Sequence, residues 1–168
     1  MRLLGFALIA AALAGLAGVA AQPAEAAPIA IAVIDFDYLD SSGEPSDQRA
    51  AHAARLAEFM RSLRADLNAE GSFRVVAIAC EDPPCTAGGT PPADLIARAK
   101  AAGARLLLFG QIHKMSTLIE WANTEIVDLA ADKLLESKLF TFRGDTDEAW
   151  RRAEKFIVAE TRGVASKP

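Results

Sequence analysis

Asp35, Asp37 and His113 are the residues of this chain best placed to activate water or hold a ligand. Asp35 and Asp37 stand two apart at the end of an apolar run, so a continuing strand would point both carboxylates to one face. Ligands of open α/β sheets gather beyond such strand ends, and paired carboxylates there can carry metal-assisted hydrolysis. No downstream Ser, Thr or Lys completes a phosphoryl-transfer pattern, and a polar strand end or loop cap explains the same pair. His113 follows Gly110 beside Lys114 and Ser116, with Glu120 and Trp121 on the next element. An imidazole there could be a general base oriented by a carboxylate, a contact to a ligand or partner, or a structural hydrogen bond. Neither Ser42 nor Ser116 sits in a G-x-S-x-G elbow, so no serine nucleophile is assigned. His52, on a helical segment, is expected to face solvent.

Cys80 and Cys85 are the two cysteines, separated by four residues that include a Pro-Pro pair. Their spacing allows a small disulfide loop in an oxidising compartment and differs from a C-x-x-C redox pair. Two thiols alone do not close a zinc site, which takes about four ligands. Gly88-Gly89 lacks the Lys-Ser or Lys-Thr of a nucleotide loop, and C-x-x-C-H is absent, so no cofactor is expected. Arg143-Gly144-Asp145 reads as a strand end followed by a helix cap.

These residues depend on a simple series of elements. Residues 29–36 (IAIAVIDF) form an apolar, β-branched run that predicts a strand covered on both faces. Between 47 and 70, Ala53, Leu56, Met60, Leu63 and Leu67 recur at helical spacing, and Gly71 ends the pattern. Residues 73–79 predict a second strand. Thr90-Pro91-Pro92 caps and opens a second helix, and residues 106–112 form a third buried strand. Helices between short apolar runs call for crossovers and parallel pairing. After Met115 hairpin spacing takes over, with a turn at Asp132-Lys133 and a strand over 135–142. Ile119, Trp121 and Val127 share one face, while Glu120, Asp128, Glu136 and Lys138 suggest a wetter one. Asp145 with Glu148 has capping-box spacing, and Trp150, Ala153, Phe156 and Ile157 stripe a final helix. The fold class is α/β, a mixed sheet of order β-α-β-α-β-β-β-α.

Residues 1–26 read as a signal peptide: Arg2, an apolar Ala- and Gly-rich run, then small residues that allow cleavage after Ala21 or Ala26. The expected plan is residues 27–163 as one domain and 164–168 as a flexible tail. The net charge of −4 argues against nucleic-acid binding. Processing would leave no integral membrane segment, and the oligomeric state stays open.

The stretches IAVIDFDYLDSSGE, CEDPPC, LLLFGQIHKMSTLIEW and FTFRGDTDEAWRRAEKFI resemble a proteobacterial family known only as a domain of unknown function, the DUF2380/DUF3280 type. More distantly, residues 32–36 (AVIDF) and the pattern from Gly103-Ala104 through Leu108, Gly110 and Ile112 resemble the TolB N-terminal domain. The same pattern is similar to curli-secretion and penicillin-binding-protein-activator lipoproteins. That resemblance implies a TolB-like α/β layer and a periplasmic, non-enzymatic interaction or assembly role with an envelope protein partner. Asp35, Asp37, His113, Lys114 and Trp121 are the candidate ligand or partner contacts. The alternative is a small-molecule-binding protein, or a metal-dependent hydrolase using Asp35, Asp37 and His113.

Overall fold

The computed structural model describes residues 27–80 and 84–165. The expected leader and its cleavage sites lie outside the described residues, as does 166–168 of the expected tail. The elements are β1 (Ile29–Val33), β2 (Asp37–Asp40), α1 (Arg49–Ala69), β3 (Phe73–Val76), α2 (Pro92–Ala101), β4 (Leu106–Lys114), β5 (Ile119–Asp128), β6 (Lys133–Arg143) and α3 (Asp147–Ala165). They build one sheet of order β3-β1-β4-β5-β6, with β2 also paired to β4. The crossover strands β1, β2, β3 and β4 pair in parallel. β4, β5 and β6 follow as an antiparallel meander. The mixed β-α-β-α-β-β-β-α order is therefore present, with its first strand in two pieces.

The break has a definite cause. Val33 lies opposite Leu108, yet Asp37 lies opposite Gln111, so the β1–β2 side carries one extra residue. That residue makes a bulge, which ends one pairing segment and re-aims the side chains after it. The Phe36 ring settles into the space beside Gly110. A Cβ on Gly110 would sit 2.5 Å from Asn123 O and 2.7 Å from the Phe36 ring, so only glycine fits.

Alternation then divides the core. Ile31, Val33, Leu106, Leu108, Ile112, Ala122 and Ile126 face α1 and α3, meeting Phe59, Leu63, Trp150 and Ile157. Ala32, Ile34 and Leu107 face the other way, under Leu95 and Ala99 of α2. α1 ends as expected, with Gly71 at φ 75° after the last turn. Asp132, at φ 51°, lies in the β5–β6 turn.

Several terminal details differ from the sequence expectation. Pro91, not Thr90, is the residue before α2, and no side chain caps that helix. At α3 the Ala149 N–H donates to Thr146 Oγ1 at 3.2 Å, so Thr146 caps the helix while Asp145 is held elsewhere. α3 continues to Ala165 and buries Val164, carrying the packed domain past residue 163. No helix among the described residues is long and apolar enough to cross a membrane.

Candidate functional site

α2 covers one corner of its sheet face, and no other helix among the described residues packs on the rest of it. Register places Leu39, His113, Trp121 and Thr141 in one row across β2, β4, β5 and β6. Asp37, Gln111, Asn123 and Leu139 form the next row, followed by Phe109, Glu125 and Ser137. Leu39 is 45% exposed, Trp121 38% and Leu139 63%, so the rows form an accessible, partly apolar surface. A groove of about 640 Å³ runs between Asp37, the loop at Thr86–Gly89 and Asn123. β6 closes this end of the sheet, and its outer edge, 11 residues long, has no strand beside it among the described residues.

Three of the expected contacts, Asp37, His113 and Trp121, share this face. The His113 ring meets Trp121 edge-on at 6.2 Å between centroids, and its Nε2 shares a 2.8 Å hydrogen bond with Ser41 Oγ. Among the described residues His113 has no carboxylate partner. Asp37 Oδ2 accepts the Gly88 N–H at 2.7 Å.

Asp35 does not join them. The extra residue in the bulge separates it from Asp37, and it pairs with Arg64 of α1 at 2.6 Å. The expected grouping of Asp35, Asp37 and His113 is thus not assembled, because each engages a different neighbour. Among the described residues no group of His, Cys, Asp and Glu could hold a metal ion.

Lys114 is the second correction. It follows His113, so the strand turns it to the opposite face, where it is fully buried. Its Nζ donates to Glu44 Oε2 at 2.7 Å, Gln48 Oε1 at 2.6 Å and Asp145 Oδ2 at 2.7 Å. Burial alone would lower the ammonium's pKa, but Asp145 and Glu44 overcome it and hold the pKa above its ordinary value. The lysine therefore pins the chain between β2 and α1 and the start of α3 to the sheet. It is not a surface contact.

Sequence reasoning missed the rest of this cluster. His52 is buried, not solvent-facing, and its Nε2 lies 2.8 Å from Asp145 Oδ2. Arg55 also pairs with Asp145, and its guanidinium lies 5.8 Å from the Trp150 ring centroid. Glu120, expected on the wet face, is fully buried, as Asp128 nearly is. Among the described residues neither Glu120 carboxylate oxygen has a hydrogen-bond partner, and burial followed by the Asp145 charge pushes its pKa up to about 7. Burial also raises the Tyr38 phenol, whose oxygen lacks a partner. The legible signal was the alternation of Glu120, Ala122, Thr124 and Ile126, which fixes Glu120 on the face of the two apolar residues.

Cys80 and Cys85 are bonded to each other, as their spacing suggested. Cys85 directly precedes the Thr86–Gly89 segment that walls the groove.

The family model for DUF3280, described as a protein of unknown function (DUF2380), matches residues 29–161. The chain belongs to this family. No curated protein matches the sequence. The hypothetical protein CT253 from Chlamydia trachomatis has a similar solved structure, with TM-score 0.58 and 11% identity over 83% of this chain and 99% of that one. TolB from Acinetobacter baumannii matches with TM-score 0.52 and 16% identity over 83% of this chain. The chain spans 28% of the length of that TolB. At these identities the likeness is one of fold, and it agrees with the TolB-like layer expected from residues 32–36 and the Gly103–Ile112 pattern.

Proposed function

We propose that this DUF3280 protein is a non-enzymatic accessory protein of the bacterial envelope. In this reading it is exported to the periplasm and docks an extended segment of another envelope protein along β6 and across the helix-free sheet face. The observation that carries the reading is a long strand edge with no neighbouring strand among the described residues, beside a row of exposed apolar side chains. An extended segment can take the main-chain donors and acceptors of such an edge while pockets on the face read its side chains. Leu134 and Leu139, 50% and 63% exposed, flank the centre of β6 and give that segment apolar contacts. Charges on an edge normally discourage pairing. Lys138, however, is drawn to Glu160 of α3 at 2.7 Å, which turns it off the open face. Asp37 and Glu125 on that face favour a partner segment bearing a basic residue among apolar ones.

Co-purification from envelope extracts tests the reading with Trp121→Ser/Leu139→Asp, both at exposed positions. The folded double variant is expected to lose the partner that the parent chain retains. A folded double variant that retains it overturns the docking face. Export is tested separately by intact mass, which should begin after Ala21 or Ala26. A periplasmic form retaining Met1 contradicts cleavage, and a chain confined to the cytoplasm contradicts export.

A further inference from the structure

We propose that the crevice beyond the carboxyl ends of β1 and β3 is a separate site for a small organic monocarboxylate with a compact apolar body. Its position follows from topology. β1 and β3 are neighbours. The chain leaving β1 and β2 enters α1 on one face, and the chain leaving β3 enters α2 on the other. Where adjacent strands send their connections to opposite faces, the sheet opens a crevice at their carboxyl ends, and ligands of open α/β sheets bind there. In this chain the crevice has a volume of about 920 Å³.

The lining selects the ligand class. Arg61, Arg64 and Arg98 line it with one carboxylate, Asp35, while Phe36, Leu56, Met60 and Pro84 supply apolar wall; Arg61 is already paired with Glu58 and Arg64 with Asp35, so Arg98 carries the uncompensated charge. Two of the guanidiniums are already held in place. Arg64 donates through Nε and Nη2 to Val33 O at 3.0 Å, and Arg98 donates through Nη1 to Ala79 O at 2.6 Å. A carbonyl fixes the Arg98 guanidinium without neutralising it, and among the described residues Arg98 forms no ion pair, whereas Arg64 also pairs with Asp35 at 2.6 Å. Pre-positioned cations lose less side-chain freedom when an anion arrives, and the planar fork suits a carboxylate. Asp35 would repel a second negative charge, which disfavours a phosphate dianion. Thr86 Oγ1 accepts the Gly89 N–H at 2.9 Å, leaving its own O–H to donate to a ligand oxygen. Cys85, itself a lining residue, is anchored by its bond to Cys80.

The test is calorimetric titration of the full exported chain with 4-phenylbutyrate as probe, beside its neutral amide, 4-phenylbutylamine and inorganic phosphate. Saturable binding of the carboxylate alone is expected. Arg98→Ala should weaken it about tenfold or more, the cost of one charge-assisted hydrogen bond. Ala57→Trp places bulk at an exposed α1 position lining the crevice and should abolish binding while leaving the thermal unfolding midpoint unchanged. Arg98→Lys should restore part of the affinity. Absence of saturable carboxylate binding, equal binding of amide or phosphate, or binding unaffected by both Arg98→Ala and Ala57→Trp overturns the proposal.

Discussion

Replacing Glu154 by Gln should flatten the decline of stability between mildly acidic and mildly basic pH. Glu154 lies on α3 beside a groove of about 520 Å³ between α1 and α3 and is 1% exposed. Among the described residues neither carboxylate oxygen has a hydrogen-bond partner. Burial first, and then the charge of Asp66, push its pKa from 4.5 up to about 7, against the opposing pull of Lys155. A carboxyl raised in this way binds its proton more tightly when folded than when unfolded. Its contribution is therefore favourable at low pH, declines as pH rises from about 4.5 to about 7, and is lost above that. A shift of that size corresponds to about 3 kcal/mol, and water entering the adjoining groove reduces the expected effect to about 2 kcal/mol. Urea unfolding at pH 5, 6, 7 and 8 reads it directly. Wild type and Glu154→Gln should nearly coincide at pH 5, and the variant should be more stable by about 2 kcal/mol at pH 8. Glu120, raised to about 7 by the same sign of effect, leaves a residual slope that Glu120→Gln/Glu154→Gln removes. Parallel stability curves for wild type and Glu154→Gln across this range would refute the argument.

Lys114→Met removes the central cation of a buried cluster, takes away the ion-pair partner of Glu44 and leaves Asp145 to Arg55 and His52, so chemical denaturation should show a loss of about 3 kcal/mol. Gly110→Ala drives a methyl against Asn123 O and the Phe36 ring; the same assay should show a loss of about 1–3 kcal/mol. Reduction of Cys80–Cys85 opens a short loop and should cost about 2 kcal/mol or less. Without reductant, alkylation of the native protein should label neither thiol.

The layout of the sheet was legible because its two grammars differ along the chain. Helical spacing between apolar runs announced the parallel crossovers, and the turn at Asp132 announced the meander. The bulge was not legible, since residues 29–36 form one apolar run whose extra residue shows only against β4. It is what divides Asp35 from Asp37. Period-two alternation placed His113 and Trp121 on one face, and the same rule sends Lys114 and Glu120 to the other. Their charge argued for solvent, and tertiary pairing overrode it: Asp145 and Glu44 arrive from distant segments, which no local pattern joins to Lys114. His52 is similar, because its partner lies 93 residues further along the chain. Solvent-facing polarity is a sound expectation for one residue at a time and fails when several buried charges satisfy one another.

Site-specific photo-crosslinking in intact cells tests the docking account most directly. A photoreactive side chain at Leu139 or Trp121, on the helix-free face, is compared with one at Arg152, an exposed position on α3. The account predicts that Leu139 and Trp121 give an adduct with the same envelope protein, that Leu134→Asp diminishes it, and that Arg152 gives none. Adducts of equal yield from all three positions, or none from Leu139 and Trp121 in a folded, exported chain, would contradict it.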